Sequence, residues 1–155
     1  MIAAEKGENM KNQTQLSEGY ETKYEHYAHS VGTLMFHLEW CTKYRYKMAR
    51  KEENERLLDA CIRRTASKNG IKIIELNVQP EHIHCIVLVK FDMSVSKVFQ
   101  FLKGGSSYLF FKHQEKARLR YPRGHFWSKG KFASSVGFVQ LDVVQNYVRN
   151  QDEHH

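Results

Sequence analysis

An α/β fold is predicted by three patterns in this chain of 155 residues. From Thr33 to Thr42 the sequence alternates, with Leu34, Phe36, Leu38 and Trp40 on one face and His37 and Glu39 on the other, the period of a half-buried strand. Glu52 to Lys68 instead carries Leu57, Leu58, Cys61, Ile62 and Thr65 at helical spacing. Ile71–Val78 and the β-branched run from Ile83 to Val89 flank a turn at Pro80, which makes them a hairpin. The length suits one domain with a sizeable core and is short for two. The division expected is an N-terminal arm, 1–30, and a single domain, 31–155.

In chain order, residues 1 to about 30 are polar and lack a sustained period, so they read as a loosely held arm, with Tyr20, Tyr24 and Tyr27 near helical spacing at its end. The first strand runs into Lys43-Tyr44-Arg45-Tyr46-Lys47, cation and ring alternating. The helix at 52–68 has acids early, Arg63, Arg64 and Lys68 late, and Gly70 as its stop. Ser94 to about Arg118 reads as a long helix or as one broken near Gly104-Gly105. Those small residues would admit either a nucleic-acid backbone or close packing of helix on sheet. Gly124 to Gly137 reads as a further strand with a bend, ending in a joint at Gly137. Leu141–Gln151 is a short helix with Leu141, Val144 and Val148 as its apolar stripe.

A net charge of +7 points to a polyanionic partner. Its placement is more telling. Between Lys103 and Lys131 there are eight Lys or Arg against one acid, Glu115, with Tyr108, Tyr121, Phe126 and Trp127 interleaved. Cations neutralise phosphates and rings stack on unpaired bases, so the mixture suits single-stranded or structured nucleic acid better than a merely solvated face. No run approaches the 18 or so apolar residues of a membrane span, and Met1–Lys6 has no apolar signal core, so a cytoplasmic location is expected. Cys41, Cys61 and Cys85 lack close pairing and read as free thiols.

His82-Ile83-His84 is the candidate centre. Alternation along a strand sends both imidazoles to one face, roughly 6–7 Å apart at the backbone, where they could converge on one metal ion or one phosphate. Polar residues tolerated at a strand end are the plainer account of the same pattern. Tyr147 and Gln151, four apart on the last helix, share a face. From the residues alone Tyr147 is an ordinary core or interface tyrosine, and Gln151 surface decoration.

Taken together, Pro80-Glu81-His82-Ile83-His84-Cys85, Leu102-Lys103-Gly104-Gly105-Ser106-Ser107, Phe126-Trp127-Ser128-Lys129-Gly130, Ser135-Val136-Gly137 and Tyr147-Val148-Arg149-Asn150-Gln151 resemble the single-tyrosine HUH transposases of the smallest bacterial and archaeal insertion sequences. Trp40-Cys41-Thr42-Lys43-Tyr44-Arg45 is similar to that family's first-strand motif. Glu81 stands where Asp is commoner, and Lys131 where an aromatic is frequent. The resemblance implies a ferredoxin-like sandwich, a mainly antiparallel sheet with helices on one side plus a C-terminal tyrosine-bearing helix. It implies Tyr147 as nucleophile and His82, His84 and Gln151 as ligands of a divalent metal, magnesium or manganese. It implies hairpin-forming single-stranded DNA as substrate, and a homodimer whose tyrosine helix can act in trans. Lys43, Arg45, Lys103 and Trp127 are then the expected DNA contacts. Two other readings share these residues: a non-catalytic hairpin-binding regulator on the same fold, and a rolling-circle initiator or relaxase. A histidine-triad hydrolase would need a third His where Ile86 stands.

Overall fold

A computed structural model describes residues 34–137 and 140–151, so the expected N-terminal arm with Tyr20, Tyr24 and Tyr27 lies outside the described residues. The elements are β1 (Leu34–Thr42), α1 (Glu52–Lys68), β2 (Lys72–Val78), β3 (His82–Val89), α2 (Val95–His113), β4 (Trp127–Ser135) and α3 (Leu141–Arg149). Short 3-10 turns occupy Lys43–Arg45 and Glu115–Leu119.

The strands form one sheet in the order β2-β3-β1-β4, every neighbouring pair antiparallel. Two interleaved β-α-β units give this order, the ferredoxin-like arrangement. β3 and β1 are therefore central and covered on both faces. Ile83, Cys85, Val87 and Val89 point with Leu38 and Trp40 into the larger core, which α1 closes with Leu58, Cys61, Ile62 and Ala66, and α2 with Val98, Phe99, Leu102, Phe110 and Phe111. The residues between them point the other way. Met35, Ile86 and Leu88 form a smaller core with Val136 and with Leu141 and Val148 of α3. Among the described residues, two helices thus lie on one side of the sheet and the tyrosine-bearing helix lies on the other.

The helix expected over 52–68 has those bounds, and it ends at Gly70, whose φ of 69° is the left-handed conformation that glycine adopts without a Cβ clash. α2 is not broken at its glycine pair. It runs unbroken from Val95, capped by the Ser94 side chain accepting from the Lys97 N–H, and stops before the 3-10 turn. β4 starts at Trp127 rather than Gly124.

The glycine pair has a packing explanation on one side only. A Cβ on Gly105 would run into the side chain of Thr65 on α1, whereas a Cβ on Gly104 would meet nothing within 4 Å. Gly105 therefore lets the two helices approach, helix on helix rather than helix on sheet. Gly105→Ala should destabilise the domain by about 1–3 kcal/mol through overpacking. Gly104→Ala should be neutral or stabilising by up to ~1 kcal/mol, because it only gains helix propensity. Urea unfolding midpoints of the two variants check this contrast.

Candidate active site

The site lies on the α3 side of the sheet, at the end where β3 begins. Pairing of β1 with β3 sets Glu39 opposite His84 and Cys41 opposite His82. Strand parity then puts His37, Glu39, His82 and His84 on the face that α3 covers. The His82 and His84 rings lie 4.8 Å apart, nearly perpendicular at 76°. Each has a carboxylate at Nδ1: Glu81 Oε1 at 2.9 Å from His82, and Glu39 Oε1 at 2.6 Å from His84. A carboxylate there fixes the Nδ1 tautomer and the ring orientation, as in the carboxylate–histidine pairs that support metal sites. The His37 ring stacks beside His84 at 5.6 Å and 20°, its Nε2 a longer 3.4 Å from the same Nδ1. Burial lowers the pKa of His37 against the opposing pull of Glu39, so His37 favours the neutral form.

The last helix brings the other half. Val148 and Leu141 anchor it in the smaller core. On the β2 side, Asn77 Nδ2 donates to the Val148 carbonyl at 2.9 Å, and Glu75 Oε2 accepts from Gln145 at 2.9 Å and Arg149 at 3.2 Å. With the helix so pinned, Tyr147 points at the histidines, its ring 6.2 Å from His84 and 5.9 Å from His37, both edge-on. It is 52 % exposed, on the open side of the cleft. Gln151, one turn on, is buried, and its Nε2 donates to the Tyr147 carbonyl at 3.3 Å. His82, His84, Tyr147 and Gln151 line one open cleft of about 510 Å³, together with Glu39, Arg45, Glu81 and Lys131.

The remaining sequence-expected contacts divide. Arg45 lines this cleft, whereas Lys43 lines a neighbouring one. Lys103 is half-buried with Nζ donating to the Ser128 carbonyl at 2.7 Å, and burial, reinforced by nearby Lys131, lowers its pKa. Trp127 is a correction. It is only 8 % exposed, wedged edge-on against Trp40 and Phe126, with its indole N–H donating to Ser106 Oγ at 3.0 Å, so it has no ring face to offer a base. His37 and Glu39 were not singled out from the sequence. Their face was legible, but their partner depends on the strand register. Together with His84 they form a group whose donor atoms lie within 4.8 Å of one another.

The approach to the cleft is unusual in its backbone. Tyr44 and Arg45, in the turn after β1, have φ of 62° and 52°. Left-handed backbone in bulky residues costs on the order of 1–3 kcal/mol each and concentrates at functional sites. Thr42 buttresses the turn: its hydroxyl donates to the Tyr46 carbonyl at 2.7 Å, and its N–H to the Glu81 carbonyl at 2.8 Å, tying the turn to the residue before His82.

Residues 30–151 match the family described as Transposase IS200 like. This chain belongs to the IS200-like transposase family. Among its relatives, the transposase for insertion sequence element IS200 of Salmonella typhimurium is 27% identical over 126 residues, spanning 81% of this chain and 82% of that protein. The ISDra2 transposase TnpA of Deinococcus radiodurans is 26% identical over 123 residues, spanning 79% and 87%. Of solved structures, a candidate transposase from Deinococcus radiodurans R1 matches with a TM-score of 0.64 at 25% identity, over 79% of this chain and 93% of that one. A REP-associated tyrosine transposase bound to a REP hairpin matches with a TM-score of 0.60 at 15% identity, over 82% and 71%, which shows a shared fold. The IS200-like assignment bears out the resemblance drawn from the motifs, and with it the α/β sandwich.

The polar anchor of α3 makes one expectation direct. Glu75→Ala removes the acceptor shared by Gln145 and Arg149, at a cost of about 1 kcal/mol because the Arg149 arm is exposed. Amides of 141–151 should then exchange about five-fold faster with deuterium, as local opening becomes easier, while those of β1 and β3 keep their rates.

Proposed function

We propose that this chain cleaves and rejoins single-stranded DNA at the ends of an insertion sequence, with Tyr147 as nucleophile and His82, His84 and Gln151 as ligands of a divalent metal. The observation that carries this reading is the convergence, in one cleft, of an exposed tyrosine with two imidazoles and a buried amide. Membership of the IS200-like transposases supports the reaction class.

The donor set fits such a metal. With Nδ1 of both histidines turned to a carboxylate, Nε2 is the atom each would present, and the Gln151 amide oxygen adds a neutral hard ligand. Bound magnesium or manganese would withdraw charge from a non-bridging phosphate oxygen as negative charge builds there. Tyr147 Oη attacks the phosphorus. The P–O3′ bond breaks as the P–Oη bond forms, the phenol loses its proton and the departing 3′-oxygen gains one. The product is a 5′-phosphotyrosine and a 3′-hydroxyl. Because the phosphodiester is exchanged rather than hydrolysed, a second 3′-hydroxyl can reverse the step and join strands without ATP. Arg45 and Lys131, lining the same cleft, would hold the flanking phosphates.

The substrate in this reading is a DNA strand with hairpin ends, supported by the fold shared with a protein captured on a REP hairpin. The functional unit is a homodimer. Among the described residues β4 is an edge strand, and its residues from Lys129 to Ser135 are all exposed, a surface onto which a second copy could add strand to strand. Action in trans would require α3 to leave Glu75 and Asn77. No helix among the described residues is long and apolar enough to cross a membrane. A cytoplasmic location is part of this proposal and is supported by the DNA substrate it assigns.

The test is a labelled single-stranded hairpin with a cleavable flank, incubated with protein and magnesium and resolved under denaturing conditions. The wild type should form a covalent adduct, chelation with EDTA should abolish it, and Tyr147→Phe should form none while still binding the hairpin. An adduct on Tyr147→Phe would overturn the nucleophile assignment, and binding without adduct under any metal would favour a regulator. Glu39→Ala should weaken manganese binding about ten-fold in calorimetry, because His84 loses the carboxylate that orients it.

A further inference from the structure

The Lys43–Arg45 turn serves two clefts. Arg45 lines the one that holds His84 and Tyr147, while Lys43 and Tyr44 line a second, of about 300 Å³, with Tyr121, Pro122, Arg123 and His125. Nothing in the transposase chemistry derived above uses this second cleft. Its lining holds two fixed cations, a histidine and two aromatic rings, and no carboxylate among the described residues.

The rings are stacked and held. Tyr121 is buried, and its hydroxyl donates to the Lys43 carbonyl at 2.7 Å. Burial pushes this phenol up to about 12, so it remains a donor at neutral pH. Tyr46 packs on Tyr121 at 5.4 Å and 27°, with the Arg120 guanidinium 4.2 Å from the Tyr46 ring centre on the stack. Tyr44 lies nearly parallel to Tyr121, at 6.4 Å and 22°, and is 66 % exposed. An aromatic ring that is solvent-facing, backed by a rigid stack and held there by left-handed backbone adds little to the core. It is shaped as a platform.

We propose that the second cleft seats one unpaired nucleotide of the DNA strand, its base stacked on Tyr44 and its phosphate among Lys43, Arg123 and His125. Planar rings accept the π-face of any base, and the cations supply the phosphate contact, which is the pairing used by single-strand binding sites. The shared turn makes this nucleotide a neighbour of the strand held in the active cleft. The seat then fixes the register of the strand relative to Tyr147. It rests on the single-stranded DNA reading of the active cleft.

The experiment uses the full chain carrying Tyr147→Phe, so that no cleavage intervenes, and fluorescent hairpins whose flank is made abasic one position at a time. With Tyr44 present, one flank position should weaken binding about ten-fold when its base is removed. Tyr44→Ala should weaken the intact strand by a similar factor and flatten the profile at that position, and Tyr44→Trp should restore it. Tyr44→Gly supplies a control on folding, since glycine relieves the positive φ: its melting temperature should rise while its affinity falls. If the abasic profile is unchanged by Tyr44→Ala, or if the free mononucleotide competes as well as the strand, the seat is overturned. The transposase reading is judged separately, by the adduct formed on a chain that keeps Tyr147, so either can fail alone.

Discussion

The pairing of β1 with β3 is the constraint on which the rest depends. Because both strands are central, each must carry two apolar faces, and Ile83, Cys85, Val87 and Val89 against Met35, Ile86 and Leu88 supply them. A slip of one residue would turn every one of these side chains to the wrong side. The register protected in this way is also the one that sets Glu39 across from His84. The energy of the two cores therefore holds the imidazole–carboxylate geometry, and the site needs little stability of its own.

That division explains why the chemistry collects at one end of the sheet. Toward the other end, the face under α3 is closed by Leu141 and Val148 against Ile86 and Leu88, and is apolar. Beyond Ile86 the same face turns polar with His84 and then His82, and α3 turns polar with it, through Tyr147 and Gln151. Apolar contact fixes the helix, and the polar residues project from its margin into the cleft. The attachment to β2 through Glu75 and Asn77 is made of hydrogen bonds rather than buried methyl groups. Such contacts can be exchanged for water at modest cost, so this side of α3 is held less firmly than the side that Leu141 and Val148 bury.

The elements were legible in the sequence wherever a period ran long enough. Alternation at Leu34–Trp40 and the stripe on Glu52–Lys68 read directly, and parity alone put His82 and His84 on a common face. What failed to read was contact between distant residues. Trp127, set among cations, has the composition of a base platform, yet it is the first residue of a strand that enters the core, and Ser106 rather than a base receives its N–H. Gly105 was ambiguous between ligand and packing because its neighbour, Thr65, lies on another helix. Glu39 carried no signal because its role follows from register. For Tyr147 and Gln151 the i, i+4 spacing was visible, but their significance came from family resemblance and not from any local pattern.

The same distinction bears on charge. The basic run from Lys103 to Lys131 reads as one patch along the chain, but the fold takes it apart. Lys103 turns inward to a carbonyl, Arg118 sits 5.0 Å from the Phe111 ring centre, and Arg120 lies over Tyr46, so these three act through packing as much as through charge. Lys131 lines the cleft that holds His84 and Tyr147, and Arg123 the second one. Affinity for a polyanion scales with the cations that reach phosphates, not with the count in the sequence. The cations that reach the two clefts are few, and they flank the turn at Tyr44 and Arg45. Lys43 and Arg45 stand on either side of Tyr44 in the chain, and in the proposed reading this order, more than the net charge, would select the phosphate presented to Tyr147.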